Sequence, residues 1–165
     1  MQNFFRLSKR LTAKFLLTFA AVCLLAACSN PEKTDVIAIT KVFSNSSYTP
    51  ESQQKFQQRL MVAKSEAEQM AIIKEMAGKL EQSATDLDNL SLKSNEGRSA
   101  RDHLAKGLKG IAVGTRKAME NANADEKTKM AIAMELSEAQ KEMMQGHAEV
   151  LALAKKHNLD TDTSK

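Results

Sequence analysis

Apolar and small side chains recur every three or four residues in three stretches between positions 50 and 157, which is the spacing of amphipathic α-helices. The first stripe, over residues 50–90, predicts one helix of about 60 Å, with a break near Gly78 as an option. A second helix is expected over residues 98–121 and a third over residues 126–157. We therefore expect an all-α fold, an antiparallel three-helix bundle with long helices.

The third predicted helix has the most regular pattern. Its apolar positions follow a 4-3 heptad spacing without a slip, as in a coiled coil. They are Ile132, Leu136, Ala139, Met143, Gly146, Val150, Leu153 and His157. Such a seam could pack within the bundle or against a second copy of the chain. Asp125 is a suitable N-cap for this helix, as Thr49 is for the first helix, where Pro50 suits the first helical position.

The segment before the predicted bundle carries a weaker pattern. Residues 28–34 are polar and contain Pro31, so residues 28–49 are expected to act as a tether. Residues 36–43 are apolar and rich in β-branched side chains, which favours a strand by propensity. A short helix, or an extended segment packed on the bundle, is an equal alternative, because no second strand is evident to pair with them. Residues 158–165 are expected to form a polar tail.

The N-terminus has a composition of its own. Residues 1–14 carry four basic side chains and no acid, and residues 15–25 are almost wholly apolar. The small residues Ala26 and Ala27 follow, and then Cys28. This order is that of a secretory signal peptide. The apolar run of residues 15–27 is shorter than the roughly 20 residues that a membrane-spanning helix needs.

The four residues Leu25, Ala26, Ala27 and Cys28 resemble the lipobox of bacterial lipoproteins. The resemblance implies cleavage after residue 27 and a diacylglycerol on the sulfur of Cys28. It also implies an N-acyl chain, such as palmitate, on the new amino group. In Gram-negative lipoproteins an Asp after the acylated cysteine favours retention at the inner membrane, so Ser29 implies the outer membrane. Display toward the periplasm or toward the cell surface stays open.

Removal of residues 1–27 changes the charge balance. The four basic residues lost leave 20 Lys and Arg against 20 Asp and Glu. A nucleic-acid partner is not expected, since such proteins keep a basic excess. Cys23 leaves with the signal peptide and Cys28 would carry lipid, so no disulfide, thiol nucleophile or cysteine-bound metal is expected in the mature chain.

A row of glycines marks the second predicted helix. Gly107, Gly110 and Gly114 lie on one side of it, and each glycine weakens a helix by about 1 kcal/mol relative to alanine. Glycine at these positions is explained by close packing of a neighbouring helix. The alternative is a groove that receives a helix of a partner.

The methionines and histidines of the third predicted helix offer a possible ligand set. Met143, Met144 and His147 lie within one helical turn of each other, and thioether and imidazole ligands suit Cu(I) or haem iron. Methionine is also a common core residue in a chain that has few aromatic side chains. We expect core packing for these methionines and no metal or cofactor other than the covalent lipid.

Catalytic motifs are missing from the sequence. It contains no Gly-x-Ser-x-Gly elbow, no phosphate-binding loop and no His-Glu-x-x-His zinc motif. We therefore expect a non-enzymatic, membrane-anchored lipoprotein whose helical domain binds or scaffolds an envelope protein, or itself. The alternatives are a copper- or haem-binding lipoprotein and a structural spacer of the envelope.

Overall fold

The computed structural model describes residues 30–45 and 50–159. Within these ranges the chain is all-helical, with five helices and no strand. They are α1 (Pro31–Asn45), α2 (Pro50–Val62), α3 (Glu66–Asp88), α4 (Asn95–Glu120) and α5 (Glu126–Lys156). The expected all-α class is confirmed, but the described residues form five helices where three were predicted. The signal peptide, Cys28, Thr49 and the tail after residue 159 lie outside the described residues.

The predicted helix of residues 50–90 is in fact two helices, α2 and α3. The break lies at residues 63–65 and not at Gly78, which α3 passes through. Ser65 is the N-cap of α3, and its hydroxyl accepts a hydrogen bond from the backbone N of Glu68 at 3.2 Å. The Glu68 carboxylate in turn accepts from the backbone N of Lys64 at 2.9 Å. These two hydrogen bonds cap the N-terminus of α3 and start a new helix inside an otherwise continuous stripe.

The expectation of a tether over residues 28–49 is wrong for Pro31–Asn45, which form helix α1. The segment 36–43 is helical, and Val36 and Ile39 are fully buried against the core. Pro31 stands at the first helical position, where its fixed φ and missing N–H cost nothing. Val36 and Ile39 are three positions apart, so in a helix they lie on the same face. Tertiary burial of this face explains why β-branched residues are helical here.

Helix α4 is central to the bundle. It packs along α3 on one side and along α5 on the other, and α1 contacts all three of these helices. The core is built mainly from aliphatic side chains and alanine, with Leu87, Leu104 and Leu108 among the most deeply buried. Small residues at the helix contacts permit close spacing. Phe56 of α2 is buried, and Phe43 of α1 packs partly buried against the core.

The seam predicted for the third helix is the buried face of α5. Its members are buried or half-buried from Ile132 to His157. Asp125 caps the helix as expected, since its carboxylate accepts from the backbone N of Thr128 at 2.7 Å. The seam packs within this chain and is therefore not exposed for a second copy. None of the described helices combines the length and the apolarity that a membrane crossing requires.

Candidate functional site

One end of the bundle is formed by three helix termini, among them the start of α1. Cys28 lies outside the described residues, three positions before Pro31, the first residue of α1. The first two turns of α1 contact the end of α5 through Glu32 and the start of α4 through Asp35. We call this region the anchor end.

Asp35 joins α1 to the N-terminus of α4. Its side chain is buried, and Oδ2 accepts hydrogen bonds from the backbone N and the hydroxyl of Ser94, at 2.7 and 2.6 Å. The backbone N of Lys93 donates to the same carboxylate at 3.0 Å. Ser94 is the N-cap of α4, so the carboxylate lies where the helix dipole favours negative charge. Charge-assisted hydrogen bonds of this kind are strong when buried, and they fix the position of α1.

Glu32 joins α1 to the end of α5. The Lys156 ammonium and the His157 ring Nε2 donate to its carboxylate at 2.9 and 2.7 Å. The hydrogen bond from Lys156, and then that from His157, lower the pKa of Glu32 below its usual value. The carboxylate is therefore ionised at neutral pH, and a second link holds the first turn of α1 to the bundle.

The glycine row of α4 faces α5. A Cβ on Gly107 would lie 2.5 Å from the backbone N of Met143, and one on Gly110 would lie 2.6 Å from the Cβ of Ala139. A Cβ on Gly114 would lie 2.6 Å from a methyl group of Leu136. The row is thus filled by α5 in the described structure and does not form an open groove. Gly146 of α5 is equally close to α4.

A polar cluster crosses from α4 to α5 beside this row. The ring Nδ1 of His103 lies 2.6 Å from Glu142, whose other oxygen accepts from the Lys106 ammonium at 2.5 Å. Gln145 lies 2.9 Å from the ring Nε2 of His103 and donates to Glu149 at 3.1 Å. The hydrogen bond from Lys106, and then that from His103, lower the pKa of Glu142. These contacts reinforce the α4–α5 pair on its solvent side.

The methionines of α5 are mostly not in the core. Met143 is half-buried and packs against the core. Met130, Met134 and Met144 are exposed, each by about two thirds (67%, 66% and 69%). The expectation of core packing is therefore wrong for Met144, because it lies on the outer side of the helix. His147 is also exposed, so the three candidate ligands occupy different environments.

The exposed methionines share one side of α5. At 100° per residue, Met130, Met134, Met144 and Leu151 lie on the side opposite to the buried seam. Leu151 is 43% exposed. We call these four residues the outer stripe. Helix α5 therefore carries two apolar faces, of which the described chain covers only one.

Among the helices of residues 50–159, two clefts are large enough to describe. One, of about 180 Å³, is apolar and lies between α2, α3 and α4, with Phe56, Leu60 and Ile111 in its wall. The other, of about 390 Å³, lies over Gly110 and is lined by charged residues, including Lys106, Glu135 and Glu138. In residues 30–45 and 50–159, no three His, Cys, Asp or Glu side chains are grouped as a metal site would require.

The comparison with protein families gives one match. The family described as uncharacterised lipoprotein PM1805 matches residues 33–158. The chain belongs to this family. No curated protein matches the chain, and no solved structure does.

The PM1805 family match supports the lipoprotein assignment independently of the leader. The matched region starts after Cys28 and includes nearly all of the five helices, whereas the lipobox resemblance rests on residues 25–28. The two agree that this is a bacterial lipoprotein, and hence a lipid-anchored envelope protein. Acylation of Cys28 itself stays a prediction.

The residues that hold α1 in place are not recognisable from the sequence. Asp35 and Glu32 pair with residues 58 or more positions away, and no local pattern reveals such partners. One local signal was present, since Asn30, Pro31 and Glu32 form a typical start of a helix. The outer stripe is not recognisable from the sequence either, because methionine at helical spacing is equally typical of a core.

Proposed function

We propose that this lipoprotein binds another envelope protein through the outer stripe of α5, without catalysis, while it is anchored to the outer membrane. The observation that carries the proposal is the second apolar face of α5. Its four large side chains are 43–69% exposed, although the opposite face of the same helix already supplies the core.

The composition of the outer stripe suits a protein partner. Methionine is flexible and polarizable, and it is used at surfaces that adapt to a partner. The stripe runs from Met130 to Leu151, a distance of about 32 Å along the helix. Within it, Lys141 is the charged residue that lies in line with the four apolar side chains. We propose an amphipathic helix of the partner as the occupant, since a helix can lie along such a line of anchors.

The proposed membrane follows from the position after the acylated cysteine. Ser29 occupies the place where an Asp favours retention at the inner membrane in Gram-negative lipoproteins. The outer membrane is therefore the proposed location of the anchor. A stable anchor needs more than one acyl chain, and the chains implied at Cys28 meet that need.

The test is photo-crosslinking in living cells from single positions in the lipidated chain. A photo-reactive residue at Met134 is expected to capture one envelope protein, identified by mass spectrometry. The matched control is Thr85, an exposed residue of α3, which is expected to capture nothing specific. The substitution Met134→Glu is expected to abolish capture from a photo-reactive residue at Met130.

Three outcomes would contradict the proposal. Capture of only a second copy of the chain would indicate a self-assembling spacer. Equal capture from Met134 and Thr85 would show that the outer stripe has no special role. Fractionation with the inner membrane would refute the proposed location while leaving the binding role intact.

A further inference from the structure

The distance between the lipid anchor and the folded domain is limited by the number of residues between them. Three peptide units separate Cys28 from Pro31, and they span at most about 10 Å when fully extended. The tether predicted over residues 28–49 would have reached about 75 Å. If Cys28 is acylated, the start of α1 therefore lies close to the membrane surface.

This limit holds only if α1 stays folded on the bundle, and the contacts of α1 support that condition. Val36 and Ile39 are 1% and 0% exposed. Asp35 accepts three hydrogen bonds from Lys93 and Ser94, and Glu32 is paired with Lys156 and His157. Release of α1 would expose its apolar face and leave these donors without their acceptor, which is unfavourable.

The anchor end presents cations to solvent. Lys33, Lys93 and Lys155 are exposed there, and Lys156 is exposed but paired with Glu32. Among the acids at this end, Asp35 is buried and Glu32 is paired, while Glu96 and Asp88 are exposed. Lysine side chains near a bilayer are attracted to anionic headgroups, and the attraction acts within about one Debye length, near 10 Å. That range matches the reach of residues 28–30.

We propose that the bundle stands end-on on the bilayer, with the anchor end seated on the phosphate headgroups of the leaflet that holds the acyl chains. In this orientation the turn between α4 and α5 is the far end, about 39 Å away along the 26 residues of α4. The outer stripe then faces sideways and is accessible along its whole length. The inference rests on acylation of Cys28 and is independent of the partner.

A competing orientation places the bundle on its side, with the outer stripe in the headgroup region. Two features of α5 disfavour the side-on orientation. Lys141 interrupts the apolar side chains, and Met130 lies about 39 Å along α5 from Lys156. The short connection of residues 28–30 holds only the anchor end near the lipid. The two orientations bring different residues close to the bilayer, so labels at chosen positions can distinguish them.

The test uses the lipidated chain in vesicles of phosphatidylethanolamine and phosphatidylglycerol. Cys28 is blocked by lipid and Cys23 is removed with the leader, so a single added cysteine is the only free thiol. Fluorophores are attached to the variants Lys155→Cys, Asn123→Cys and Met134→Cys, all at exposed positions. Lipids with a spin label on the headgroup then quench fluorophores that lie near the surface.

The expected result is severalfold stronger quenching at position 155 than at positions 123 and 134. Strong quenching at 134 would show the side-on orientation and overturn the proposal. Weak quenching at all three positions would show that α1 has come away and acts as a tether, which also overturns it. Mass spectrometry of the N-terminal peptide tests acylation separately, and crosslinking from Met134 tests the partner, so failure of either is distinguishable.

Discussion

Alanine substitution at two glycines should change stability in opposite directions. Gly78 and Gly107 both lie inside helices, where replacing glycine by alanine stabilises the helix by about 1 kcal/mol. A Cβ on Gly78 would have no atom within 4 Å apart from its chain neighbours and the adjoining backbone of its own helix. We therefore expect Gly78→Ala to stabilise the protein by about 1 kcal/mol.

The same substitution at Gly107 meets the backbone of α5. The new Cβ would lie 2.5 Å from the N and 2.7 Å from the Cα of Met143, whereas an ordinary contact between carbon atoms is about 3.5–4.0 Å. The helices would have to separate by about 1 Å to restore that contact. Overpacking of this kind costs about 1–3 kcal/mol and more when backbone is displaced. We expect Gly107→Ala to destabilise the protein by about 2 kcal/mol or more.

The assay is urea unfolding of the mature chain with Cys28→Ser, followed by circular dichroism. The two variants are expected to differ by about 3 kcal/mol, which is a large part of the 5–15 kcal/mol that holds a typical domain. A Gly107→Ala variant as stable as the wild type would refute the reasoning. It would mean that α4 and α5 are not in the close contact that the structure describes.

Three further predictions concern α1 and α5. Asp35→Ala should destabilise the protein by about 3 kcal/mol, because buried donors lose a charged acceptor, while the exposed Asp88→Ala should change stability by at most about 0.5 kcal/mol. Because the pKa of Glu32 is lowered in the folded protein, its carboxylate stabilises the fold above pH 4.5, and this stabilisation is lost as the pH falls below that value. Thermal unfolding of Glu32→Gln should therefore depend less on pH in this acidic range than that of the wild type. Met134→Gln should leave stability within about 0.5 kcal/mol, whereas Ile132→Ala should lower it by about 2–4 kcal/mol.

Each of these comparisons has a result that would contradict it. Equal effects at Asp35 and Asp88 would mean that α1 is not held through the start of α4. An unchanged acid dependence in Glu32→Gln would show that its ion pair is not formed in solution. A destabilised Met134→Gln would place that side chain in the core and remove the basis for the outer stripe.

Local residue patterns alone determined much of this protein. The stripe over residues 126–157 predicted α5 and its buried seam, since every third or fourth residue of a helix lies on one face. Asp125 was identified as an N-cap from its side chain and position, and α4 begins within three residues of the predicted start. The lipobox indicated a lipoprotein, which the family match supports. These features depend on residues that are neighbours in the chain.

Only the tertiary structure decided how α1 docks, what fills the glycine row and which methionines are exposed. The docking of α1 depends on Asp35 meeting Ser94, 59 positions later, and a helix pattern says nothing about such distant partners. The glycine row could have been a groove, and only the position of α5 shows that it is filled. Periodicity likewise identifies residues that share a face without saying what covers it. That is why Met143 and Met144, adjacent in sequence, are respectively packed against the core and 69% exposed.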